Sequence, residues 1–306
     1  MAINKFFEGK KFRILDSDKA EQTWCRRCDF WRVYMGKGRV DKKGIVIAIV
    51  FSLIITAVFL LIEIITKERF MAAGYIRFYL LDSVIRFIFG IVAAIVLFVF
   101  YKRPFNKTFA AQIPKSVWLM LIPVYVYFLS YFTLIGVIES VSAYTISFLA
   151  CAVQQLATGL FEETVYRGIV MKPFEKYYSE KRWRIIAVVT SGLVFGLSHM
   201  FNFLFTGDVS GSVSQAMFTF AWGMFMAAIY MISDNLLLAI LIHAVWDIWI
   251  RIPQFYFNMS EKATVLYGIG ETLRFIIHPF VLGIMAILIA VYAKGLKQDK
   301  GVCDEV

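Results

Sequence analysis

Residues Leu156 to Val170 read LATGLFEETVYRGIV. The chain before this stretch is apolar for a full membrane crossing, and the residues just after it are apolar again. Glu162, Glu163 and Arg167 therefore stand where a charged side chain costs roughly 2.5–3.5 kcal/mol. On a helix, Glu163 and Arg167 lie four apart, within ion-pairing reach. Glu162 points about 100° away, and its own i+4 position is Tyr166. One glutamate is thus neutralised locally, and the other faces something else. A helix carried on to Lys172, ahead of Pro173, places Glu162 about 15 Å inside the membrane. A helix that ends at the cytoplasmic surface instead leaves all three residues wet.

The rest of the chain reads as membrane protein. Of its 306 residues, 60% are hydrophobic, 17% aromatic and 18% charged, whereas a soluble domain is roughly 45–50% apolar. Several apolar runs reach the ~18–20 residues that a transmembrane helix needs. They predict an all-α, polytopic transmembrane helix bundle of about eight spans, near 45–66, 83–101, 117–138, 145–172, 184–204, 214–232, 235–252 and 273–294. Residues 1–43 form a basic cytoplasmic or interfacial segment, 44–296 a membrane-embedded domain, and 297–306 a tail. The first run, Gly44 to Thr66, is too long and too late for a signal-peptide core, so no cleavage is expected.

The net charge of +10 would suggest nucleic acid in a soluble protein. Here loop asymmetry explains it, and no nucleic-acid partner is expected. Twenty-five lysines and arginines fall on one side of the predicted spans and six on the other, with Arg86 inside the second span. Basic residues gather on cytoplasmic loops, so both termini are predicted to be cytoplasmic. The stretch TWCRRCDFWRVYMGKGR, residues 23–39, mixes aromatics with arginines. It reads equally as an interfacial helix or as a basic tail. FTGDVSGSVSQ, Phe205 to Gln215, reads as a flexible outer connector.

Four cysteines are too few for a disulfide framework. Cys25 and Cys28 form a single CxxC, and a zinc site needs a second pair. Cys303 stands fourth from the end, but the acidic Asp304 and Glu305 occupy positions where a prenylation signal wants aliphatic residues.

Two more pairs of residues sit at helical spacing within apolar runs: Phe195 with His199, and His243 with Asp247. Two of the three histidines of the chain lie in these pairs. The third, His278, precedes Pro279 without an acidic neighbour and reads as structural. Asp247 one turn from His243 has the form of a carboxylate that orients an imidazole.

Glu-Glu-x-x-x-Arg, then Phe-x-x-x-His, then His-x-x-x-Asp, in that order on three helices, resembles the CAAX protease and bacteriocin-processing family. The resemblance spans about residues 117–252. It implies an intramembrane endopeptidase similar to CAAX prenyl endopeptidases. Glu162 and His199 would then hold the water, and His243 and Asp247 would serve the oxyanion. Arg167 would fix Glu163 and leave Glu162 free. No cofactor is expected on this reading. A zinc enzyme is the competing chemistry, but no HExxH is present. Substrates would be peptides or lipidated proteins at the membrane lipids, in a bacterial plasma membrane. Oligomeric state is not legible. Relatives tied to bacteriocin immunity raise a second class, a non-catalytic peptide binder. A proton-coupled transporter would use buried Glu and His as relays, but no inverted repeat appears.

Overall fold

The computed structural model describes residues 41–72, 74–102, 113–132, 138–141, 145–259 and 261–293. The stretch with Cys25 and Cys28, and the tail with Cys303, lie outside the described residues. The chain divides at Lys42 into two units, and the architecture below belongs to the second, Lys43–Val306.

Helices dominate. In chain order they are α1 (Lys42–Ala72), α2 (Tyr75–Val99), α3 (Lys115–Met120), α4 (Ile122–Phe132) and α5 (Thr145–Glu163), then α6 (Lys181–Met200), α7 (Val209–Ser233), α8 (Leu236–Tyr256) and α9 (Glu261–Tyr292). A π-helical segment, Thr164–Ile169, extends α5, and a 3₁₀ segment, Lys172–Tyr177, follows it. One short antiparallel ribbon pairs β1 (Ile138–Val141) with β2 (Phe257–Met259).

Among the described residues, four helices are long and apolar enough to cross a membrane: Lys42–Lys67 of α1, α2, α6 and α7. The predicted count of eight is therefore not confirmed. The remaining expected spans are helical but broken, polar or short. The third is split at Leu121, beside Pro123, whose ring blocks a continuous helical ladder. The fourth carries Gln154, Gln155, Glu162 and Glu163, and the seventh carries His243 and Asp247. At the eighth, Ile277–Tyr292 is apolar but short.

The predicted connector at Phe205–Gln215 is also corrected. A four-residue helix, Phe203–Thr206, fills its start, Gly207 and Asp208 follow, and α7 already begins at Val209. Gly207 takes a left-handed φ of 68°, which glycine adopts without strain. Asp208 then caps α7, accepting from the Gly211 N–H at 2.8 Å. A capping aspartate converts a Gly/Ser-rich stretch into a helix start.

Packing fixes which faces meet. Helix α5 lies between α2 and α8, and α7 packs against α6 and α9. Helix α7 is apolar nearly all round and forms the core, with Trp222, Phe225, Met226, Ile229 and Tyr230 buried. By contrast α1 and α2 leave Ile47, Ile54, Leu61, Ile88 and Ile95 exposed, as a lipid-facing surface requires. Helices α6 and α7 meet through a small-residue stripe. A Cβ added at Gly192 would lie 2.7 Å from the Phe220 carbonyl oxygen, and one at Gly196 would lie 2.8 Å from that of Ala216. Glycines four apart let two helix backbones touch in lipid, where apolar surface alone gives little drive for association.

Candidate active site

Four elements meet at the site, His199 reaching the polar cluster only through Phe195. The end of α5 brings Glu162 and Glu163, the π segment brings Arg167, α6 brings Phe195 and His199, and α8 brings His243 and Asp247. Helices α5 and α8 approach closely because residue 159 is glycine. A Cβ there would sit 2.8 Å from the Ile240 carbonyl oxygen. One turn later, Glu163 meets His243.

Glu163 is the hub. Its Oε2 lies 3.0 Å from Arg167 Nε, and both side chains are fully buried. The reading in which these residues sit wet at a helix end is thereby ruled out. Its Oε1 accepts from His243 Nδ1 at 2.6 Å. With Glu163 ionised against Arg167, the proton of that bond belongs to the imidazole. Arg167 is held further by the Gly223 carbonyl at 3.5 Å and by the Phe195 ring, 4.7 Å below its guanidinium. A buried guanidinium needs such partners, since each lost one leaves charge in a low dielectric.

The sequence expectation made Asp247 the group that orients His243. The structure adds a second carboxylate, Glu163, on the ring's Nδ1 and keeps Asp247 beside the ring. Asp247 Oδ2 lies 3.5 Å from the other ring nitrogen, Nε2, and Glu162 Oε2 lies 3.5 Å from the same nitrogen. His243 thus stands among three carboxylates. Glu162 and Asp247 remain partly exposed, at 15% and 21% of their side chains, so Nε2 faces the open part of the site. Donation from Nε2 requires a doubly protonated ring, because the Nδ1 proton is committed to Glu163.

His199 is aimed by its own helix. Its Nδ1 lies 2.9 Å from the Phe195 carbonyl oxygen. A carbonyl only accepts, so Nδ1 carries the proton and Nε2 of the neutral ring keeps its lone pair. Phe195 joins the two histidines, with its ring 4.7 Å from that of His199 and 6.0 Å from that of His243. Trp222 and Trp246 stack at 4.4 Å and wall the site, with Trp222 6.4 Å from His243.

The helix carrying the glutamates does not run on to Lys172 as an α-helix. It widens to π geometry at Thr164, with Val170 N–H bonding to the Val165 carbonyl at 3.0 Å. Such a bulge re-aims side chains and is frequent at functional sites. The Tyr166 carbonyl it turns outward accepts from Ser191 Oγ at 2.9 Å, and Tyr166 Oη meets Thr56 Oγ1 at 2.9 Å. These bonds tie the bulge to α6 and α1.

Residues 142–249 match the family model described as Rce1-like, type II CAAX prenyl endopeptidase Rce1-like. They form a CAAX-endopeptidase-like domain. The match contains Glu162, Glu163, Arg167, Phe195, His199, His243 and Asp247, and it leaves α1, α2 and α9 outside. No curated protein and no solved structure matches the chain significantly. The apolar helices mark the chain as an integral membrane protein, and residues 142–249 are similar to the CAAX prenyl endopeptidases.

A second charged group went unread in the sequence. Glu63 of α1 and Asp82 and Arg86 of α2 pair with one another, and Gln154 of α5 joins them. Arg86 stood out as a charge inside a span. Asp82, one turn earlier, lies just before the predicted span, and Glu63 lies 23 residues away on a different helix.

Proposed function

We propose that the protein is an intramembrane peptidase that hydrolyses a peptide bond of a peptide or lipidated-protein substrate with a directly activated water. The convergence of Glu162, Glu163 and Asp247 on His243, inside the CAAX-endopeptidase match, carries this reading. Glu162 takes the proton as water attacks the scissile carbonyl. His199, with Nδ1 committed to the Phe195 carbonyl, accepts a second water hydrogen bond at Nε2. His243 donates from Nε2 to the oxyanion, and Asp247 steadies the charge on that ring. The proton on Glu162 then passes to the leaving amine, which completes hydrolysis. Arg167 holds Glu163, and Glu163 holds His243.

Metal-free chemistry is favoured by the donor set. Among the described residues no three His, Cys, Asp or Glu side chains are arranged to hold a metal ion. Chelators should therefore leave cleavage of a peptide library by the purified protein unchanged. Loss of activity on chelation, restored by Zn²⁺, would establish the zinc reading instead. A chain that binds peptides tightly and cleaves none would be the non-catalytic binder.

We place the protein in a bacterial plasma membrane, and the 25-to-six basic bias supports cytoplasmic termini. Reporter fusions at Lys300 and Asp208 should report opposite compartments. The same compartment for both overturns this topology.

A further inference from the structure

Arg86 of α2 donates from Nε to Asp82 Oδ2 at 2.5 Å and from Nη2 to Glu63 Oε1 at 2.6 Å. The same Asp82 oxygen accepts from Gln154 Nε2 of α5 at 2.6 Å, and Gln154 Oε1 accepts from Gln155 Nε2 at 2.9 Å. Asp82 is 1% exposed and Gln154 6%. Gln154, Thr158 and Glu162 recur every four residues, so they share one face of α5. The cluster reaches Glu162 by packing as well. The Arg86 guanidinium lies 4.8 Å over the Phe59 ring, and Phe59 packs at 5.0 Å on Phe161, the residue before Glu162.

We propose that the Asp82–Gln154 bond, held by Arg86 and Glu63, is a positioning device that sets the rotation of α5 and so aims Glu162 at the reacting water. This inference rests on the peptidase reading above. A helix in lipid gains little from turning one apolar face rather than another toward its neighbour, because lipid tails are as apolar as leucine. A buried polar link does discriminate, since breaking it strands a charge. A slip of one residue turns the helix by about 100° and presents Phe161 or Glu163 in place of Glu162. Glu162 is held only loosely by its own side chain: among the described residues it makes no hydrogen bond, and its ion-pair contact with His243 Nε2 is long, at 3.5 Å. Its direction is therefore inherited from the backbone, and the polar link on the same face, two turns earlier, governs that backbone.

The test is a charge exchange across the link, read as kcat and KM with peptide substrate and as thermal melting in detergent. Gln154→Glu sets a second carboxylate against Asp82 and should lower kcat about 10- to 100-fold, the scale of a misplaced catalytic group. KM should stay within about twofold, as expected when transition-state interactions alone are lost. Adding Asp82→Asn lets the new amide at position 82 donate to the new carboxylate at position 154, and kcat should return to within about threefold of wild type. Asp82→Asn alone keeps an acceptor for Gln154 and leaves Arg86 paired with Glu63, so kcat should stay near wild type while melting falls. Full kcat in Gln154→Glu would overturn the proposal. So would a loss that Asp82→Asn does not repair in folded protein, or one that only follows the folded fraction. If Glu162→Gln itself keeps full activity, the catalytic assignment fails first, which separates the two claims.

Discussion

Glu163→Gln is expected to unfold at a markedly lower temperature than the wild type, and to be nearly inactive where it does fold. The carboxylate of Glu163 is fully buried 3.0 Å from Arg167 Nε. Removing its charge leaves a buried guanidinium held by the Gly223 carbonyl and the Phe195 ring, neither of which carries a counter-charge. Breaking one side of a buried ion pair costs roughly 3–5 kcal/mol. The amide introduced at position 163 still offers an oxygen to His243 Nδ1, so the ring keeps a partner but loses its counter-charge. Glu163→Gln with Arg167→Met removes both charges and should recover much of the stability, because an apolar replacement of a buried pair is often neutral. Activity should not return with it, since His243 would still lack its carboxylate. Detergent melting and peptide cleavage on the single and double variants check this. Equal stability of Glu163→Gln and wild type would show that the pair is solvated.

Glu162→Gln should behave in the opposite way. The side chain is partly open, ion-pairs with no Arg or Lys among the described residues, and touches His243 Nε2 only at 3.5 Å. The amide fits the same space, so melting should shift little. Turnover should fall about 10²-fold or more, because the group that takes the water's proton is gone. No second-site change at Arg167 should rescue it. A fully active Glu162→Gln beside a well-folded, inactive Glu163→Gln would reverse the two assignments.

Helical spacing alone was enough to separate these neighbouring glutamates. An i,i+4 pair is a local property, and Glu163–Arg167 follows from it directly. The Glu163–His243 bond does not, because it joins residues 80 positions apart and depends on how closely α5 and α8 approach. Gly159 was the available signal, but a glycine in a helix shows its meaning only when a facing backbone is known. Asp247 beside His243 follows from the same local logic, whereas the Glu163 contact on the opposite ring nitrogen is tertiary. The π segment has no signature in spacing; its widened turn is sustained by Ser191 and Thr56 from other helices. The count of eight spans is not confirmed, in part because polar groups interrupt apolar runs. The helices with Glu162 and His243 are two whose composition falls short of a plain membrane span, since ionisable side chains displace lipid-compatible ones. The Asp208 cap shows only with the helix start at Val209, because the glycines and serines around it read as a connector.

A single turnover in H₂¹⁸O, followed by mass analysis of both product and enzyme, decides whether water is activated directly. With Glu162 as general base, the new carboxylate of the product should carry one ¹⁸O and the peptide containing Glu162 none. Label on Glu162, or a covalent adduct there during turnover, would show that the glutamate attacks the substrate itself and would contradict the mechanism.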